Sequence, residues 1–200
     1  MIEITGVSFS YGKRPILENL SFELPSTGLT RLSGSNGIGK TTLLRVLGGV
    51  LKAPLTLLPE NTRIAFWDNE CLTFDYLTVE EMLSFMESIH PDSTRSVEAE
   101  SLILPEMRES RINGLSLGQR ARLVWALAEM TPCNLLLLDE PFNGLDAQAR
   151  DQAVKSLVRL SSSRHVMFSA HEDGPWAKLG ARELKLVDAH TLTSVTNKDA

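Results

Sequence analysis

Cysteine is scarce in this chain. Two stand among 200 residues, Cys71 and Cys133, far apart and without histidines at ligand spacing. That excludes a disulfide framework or a cysteine-based zinc site and fits a reducing compartment. Long apolar runs are missing too. Stretches such as Leu123–Ala128 fall far short of the roughly 18 residues of a membrane span. Met1–Thr5 lacks the basic and apolar regions of a secretory signal. Positive charge is in the minority, with 20 Lys and Arg against 25 Asp and Glu and a net charge of −5. No overall electrostatic footprint for nucleic acid results, so that partner class is disfavoured. There is no internal repeat and no low-complexity tract.

What is present is ordinary globular composition, 42% hydrophobic and 22% charged, at the size of one domain with a small subdomain. The N-terminal part alternates apolar and polar residues. Ile2, Ile4, Val7 and Phe9, then Leu20, Phe22 and Leu24, read as short antiparallel strands. A turn at Pro25–Gly28 leads to a strand over Leu29–Leu32, a glycine-rich loop, and a helix carrying Leu43, Leu44, Leu47, Val50 and Leu51. Arg63–Trp67 is a strand. From about Leu77 to Met130 the pattern is helical. Thr78 and Glu81 form a capping box before Met82, Phe85 and Ile89, and Pro91–Ser96 is a polar connector. Leu135–Leu138 is a continuous apolar run, as expected of a parallel strand buried on both faces. Asp146 can cap a helix with Val154, Leu157 and Leu160 or Val158 on its apolar face. Val166–Ser169 is a last core strand, with weaker strand patterns near Glu183–Val187 and Leu192–Val195. Strands alternating with helices after an antiparallel start predict an α/β chain.

The strongest motif is Gly34-Ser35-Asn36-Gly37-Ile38-Gly39-Lys40-Thr41, followed by Thr42. Glycines let successive backbone N–H groups turn inward around phosphate oxygens, and the next helix presents its positive end to them. Lys40 is a point charge for the β- and γ-phosphates, and Thr41 offers a hydroxyl to Mg²⁺. Asp139 and Glu140 end the buried leucine strand, where ligands bind in open α/β sheets. Asp139 would hold Mg²⁺, and Glu140 would polarise the attacking water. Leu115-Ser116-Leu117-Gly118-Gln119 opens a helix about 20 residues before that acidic pair.

With these motifs in this order, the chain closely resembles the ABC-type ATPases, the nucleotide-binding engines of ABC transporters. The resemblance runs from Met1 to about Trp176. It covers an aromatic adenine platform at Tyr11, Walker A at 34–41, the signature at 115–119, Walker B at 135–140, the D-loop Asn143-Gly144-Leu145-Asp146, and a switch histidine at His171. It implies a P-loop NTPase (RecA-like) core over about 1–68 and 132–200, with an N-terminal antiparallel β-subdomain and an inserted helical subdomain over about 69–131. It also implies ATP and Mg²⁺ as ligands, and a second cassette, expected as a homodimer, whose ATP meets Ser116, Gly118 and Gln119. Asp146 would organise that interface, and His171 would contact the γ-phosphate. The membrane span would be a separate permease subunit, with this chain cytoplasmic and peripheral on the inner face of the plasma membrane. The signature form and compact helical region are most similar to the haem exporter ATP-binding subunits of cytochrome c maturation.

Three features depart from the family pattern. The loop after Ile64–Trp67 has no glutamine to sense Mg²⁺ and water; Asn69 aligns best, and a one-residue slip selects Glu70. Leu117 stands where glycine is usual, and its side chain either crowds the partner's nucleotide or turns into the helical subdomain. Residues 51–61 are too few for the strand pair many relatives carry. Two other classes compete with a transporter engine: a soluble cassette acting on DNA or ribosomes, and a non-hydrolysing partner cassette. Asn197-Lys198-Asp199 resembles a guanine-reading motif, but its Asp comes one position early and Tyr11 points to ATP.

Overall fold

The computed structural model of the chain describes residues 1–90, 95–170, 176 and 178–195. Two compact units share the chain. The core unit is Met1–Phe66, Cys133–Asp139 and Ser161–Ala200, and the helical unit is Trp67–Pro132 and Glu140–Leu160. Residues 140–160, which the sequence reading gives to the core, therefore group with the helices.

In the core unit six strands form one sheet. Their order is β5 (Ile64–Trp67), β6 (Leu135–Leu138), β7 (His165–Ser169), β3 (Gly28–Ser33), β8 (Arg182–Leu186) and β9 (Leu192–Val195). β6, β7, β3 and β8 pair in parallel, and β9 runs antiparallel to β8. The four leucines of β6 are all buried, as their unbroken apolar run predicts. Leu138 stands beside Phe168, and Leu32 beside Ser169. Gly34 and Asp139 therefore leave the sheet at the same carboxyl edge.

A second, antiparallel sheet has the order β2 (Arg14–Leu24), β1 (Ile2–Tyr11), β4 (Thr56–Leu58). Its apolar alternation slips from Ile2 and Ile4 to Val7 because the chain bulges at Gly6, whose φ is 71°, where the register with β2 shifts. β4 lies in the short segment after the first helix. Three residues are too few to show a period of two, so it left no pattern to read.

The helix after the glycine-rich loop, α1 (Lys40–Leu47), buries Leu43, Leu44, Val46 and Leu47. It stops at Gly48, and Gly49 follows with φ 72°. Val50, expected on its apolar face, is exposed instead. These leucines join Ile4, Val7, Leu17, Leu20, Leu135, Leu137 and Met167 in one buried cluster.

The helical unit contains α2 (Val79–Ile89), α3 (Val97–Leu102), α4 (Leu117–Met130) and most of α5 (Ala147–Ser161). Thr78 caps α2 in the expected box: its N–H donates to Glu81 Oε2 at 2.7 Å, and its hydroxyl accepts from the Glu81 N–H at 3.1 Å. α2 buries Val79, Met82, Leu83 and Met86, while Phe85 and Ile89, assigned to the same face by spacing, are exposed. Every residue of α4 from Ala121 to Met130 is buried. α5 is tied into this unit by polar contacts that explain its placement. Arg159 pairs with Glu129 of α4, and the Gln152 amide donates to Ser101 O of α3 at 3.4 Å.

Candidate nucleotide site

The phosphate loop joins β3 to α1 inside the core unit. Gly34 closes against the sheet: its φ is 146°, and a Cβ there would lie 2.6 Å from Leu186 O. No other residue type fits that position. Gly39, left-handed at φ 116°, is the N-cap of α1. No side chain caps this helix, and its first turn carries no acidic residue. A helix start of this kind suits an anion. The buried Lys40 donates from Nζ to Gly34 O at 2.9 Å and to Ser35 O at 3.0 Å, holding its ammonium over the loop. Thr41 is half-buried, and Thr42 is buried one position on.

Asp139 follows β6, and the Ser169 hydroxyl at the end of β7 donates to its Oδ1 at 2.6 Å. Among the described residues no group of three or more His, Cys, Asp or Glu gathers into a metal cage. A threonine hydroxyl and one oriented carboxylate fit Mg²⁺, which is held by few protein oxygens together with phosphates. Tyr11 is 52% exposed at the β1–β2 turn and makes a T-shaped contact with Phe9 at 4.9 Å between ring centres. His171 lies outside the described residues.

The remaining candidates belong to the helical unit. Ser116 caps α4 in a second box: its hydroxyl accepts from the Gln119 N–H at 3.2 Å, and its own N–H donates to Gln119 Oε1 at 3.0 Å. Glu140 takes a left-handed backbone, φ 48°, which costs a non-glycine residue about 1 kcal/mol. Such outliers persist where their surroundings hold them. Here the Asn143 amide donates to the Glu140 carboxylate. Asp146 accepts the Ala149 N–H at 2.9 Å, capping α5 as predicted, and Arg122 at 2.7 Å. Those two donors hold its carboxyl below the ordinary value. Asn69 is half-buried and Glu70 exposed, in a turn where the buried Asp68 accepts the Glu70 N–H at 2.9 Å.

Three participants escaped the sequence reading: Ser169, Asn143 as a partner of Glu140, and Arg122. Ser169 left no signal, because its partner is set by the register of β6 against β7. For Arg122 a charged residue directly abutting the apolar run Leu123–Ala128 was a usable signal.

The model of the ABC transporter family matches residues 17–143. The chain is similar to a cytochrome c biogenesis ATP-binding export protein, CcmA, of Ruegeria sp. The two are 36% identical over 180 residues, covering 86% of this chain and 86% of the relative. A second CcmA, of Zymomonas mobilis, is 35% identical over 158 residues, covering 77% of this chain and 68% of the relative. The sulfate/thiosulfate import ATP-binding protein CysA of Methylococcus capsulatus is 32% identical over 194 residues, 86% of this chain. Of that relative the chain spans only 56%. In fold, the chain matches a dimeric ATP-binding cassette bound to ADP and Pi with a TM-score of 0.82 at 18% identity, over 100% of both chains. An ABC transporter ATP-binding protein from Pyrococcus furiosus matches with a TM-score of 0.70 at 23% identity, over 88% of this chain and 93% of that one.

Proposed function

This chain belongs to the ABC transporter family as an ATP-binding, ATP-hydrolysing subunit, and we propose that it powers haem export for cytochrome c maturation through a separate membrane-spanning permease. The observation that carries the nucleotide reading is the phosphate loop, with its uncapped helix start and the Lys40 ammonium held above it. The export reading is supported by the cytochrome c biogenesis relatives, at 31% to 36% identity.

In this reading residues 34–42 cradle the phosphates and Tyr11 stacks on adenine. Lys40 meets the β- and γ-oxygens. Thr41, Asp139 and Asn69 would hold Mg²⁺, which supplies neutralising charge at those oxygens. Water attacks the γ-phosphorus, its proton passes to a Glu140 carboxylate oxygen, and the bridging P–O bond breaks with its electron pair leaving on ADP. His171 orients the γ-phosphate. Ser116, Gly118 and Gln119 complete the site of a second copy of the chain, and Asp146 braces the interface between copies. The assembly sits on the cytoplasmic face of the membrane through its permease. Among the described residues no helix is long and apolar enough to cross a membrane.

Purification of the tagged chain from its own cells in gentle detergent tests this reading. A multi-span permease together with haem-handling membrane proteins is the expected company. A sulfate permease would overturn haem export, and ribosomes or DNA without any permease would overturn the transporter assignment.

A further inference from the structure

Leu117 is the residue that departs from the signature pattern, and its surroundings give it a task. The residue is 60% exposed, so it is no part of the core. Its side chain nevertheless lies against the D-loop. A Cβ built on Gly144 would stand 2.8 Å from Leu117 Cγ and 3.2 Å from Cδ2. In return, a Cβ on Gly118 would stand 2.9 Å from Gly144 O. The signature and the D-loop of one chain thus meet at their backbones, and Leu117 covers the junction.

Deeper along the same face of α4 two polar ties repeat the pairing. Arg122, buried, binds the Asp146 carboxylate at 2.7 Å, and Trp125 Nε1 donates to Pro141 O at 2.6 Å. Residues 118, 122 and 125 follow helical spacing and grip 144, 146 and 141 in turn. Asn143, next to the covered glycine, is the residue whose amide holds the Glu140 carboxylate. A continuous series of contacts therefore runs from Leu117 through Gly144 and Asn143 to Glu140.

We propose that Leu117 is a positioning residue that clamps the D-loop to the signature helix, so that the seating of the signature sets the aim of Glu140 on the same chain. The inference rests on the ATPase reading of Glu140 given above. A glycine at 117 would leave Gly144 uncovered, with the backbone approach of Gly118 and the deeper ties remaining. The clamp acts on the geometry of the reacting groups and leaves the phosphate loop untouched. Its signature is a fall in kcat at constant KM, as expected when an interaction made only in the transition state is lost.

Steady-state ATPase assays on the purified chain, its Leu117→Gly variant and its Leu117→Met variant test the clamp. Leu117→Gly is expected to lower kcat about tenfold with KM within twofold, and Leu117→Met to retain at least half of the parent kcat. Thermal midpoints within about 2 °C of the parent would set this apart from a loss of fold. Parent turnover with an unchanged kcat in Leu117→Gly overturns the clamp alone, as does an equal fall in both variants. No turnover in the parent overturns the ATPase reading and the clamp with it.

Discussion

The phosphate loop and the signature segment are built by different means. In the core unit the loop is shaped by backbone: left-handed glycines, a helix start without a side-chain cap, and a lysine folded onto the loop's own carbonyls. In the helical unit the candidates are placed by side-chain contacts: Arg122 with Asp146 and Leu117 against Gly144 join distant parts of the chain, and Asn143 holds Glu140 three residues back. A site made of consecutive backbone donors needs a fixed run of residue types and reads as a motif. A site made of contacts between separate parts of one chain leaves no such run. It tolerates exchange at each position if the partner compensates.

The sharpest way to break the backbone-built side is Gly34→Ala. The new methyl group meets Leu186 O at 2.6 Å in a left-handed backbone. A destabilisation of about 2–4 kcal/mol is expected, with nucleotide binding lost outright, read by denaturant melts and nucleotide titration.

Acid separates the two units next. Burial pushes the His165 imidazole down to about 4 from 6.5, while Nε2 pairs with Thr30 Oγ1 at 3.0 Å. The folded chain keeps His165 neutral, whereas the unfolded chain takes up a proton below its ordinary value. Stability is therefore intact above that value and falls as pH drops toward 4, by about 2 kcal/mol at pH 5. In the helical unit, burial tends to raise the Glu80 carboxyl, but hydrogen bonds and charge from Arg95 and Arg108 prevail and lower it. That cluster persists until pH falls below the ordinary carboxylate range. Thermal midpoints at pH 7 and pH 5 should differ clearly in the parent and much less in His165→Gln.

Two smaller effects sharpen the contrast. Asn143→Ala removes one donor from the Glu140 carboxylate and should reduce turnover about tenfold without changing ATP affinity. Ser169→Ala frees Asp139, and the Mg²⁺ concentration for half-maximal turnover should rise about fivefold to tenfold, read by metal titration.

Much of the architecture was legible because it rests on local periodicity. The leucine run of β6, the Thr78 capping box and the Asp146 cap of α5 stand where the sequence places them. Legibility failed where a local rule met tertiary geometry. The apolar spacing of α1 continues to Val50, but Gly48 and Gly49 end the helix first. Phe85 and Ile89 share a helical period with Met82, yet Leu83 and Met86 complete the buried face instead. At the candidate site the loop residues, Asp139 and Tyr11 were readable as types in order. Ser169 was not, because its role depends on the register of β6 against β7, and Leu117 was readable only as an oddity.

The most direct test of the account is Glu140→Gln with ATP and Mg²⁺, followed by turnover and by size-exclusion chromatography. The account predicts turnover below about 1% of the parent, as for loss of a general base, together with an ATP-dependent species of twice the chain mass. Turnover at the parent rate would contradict it.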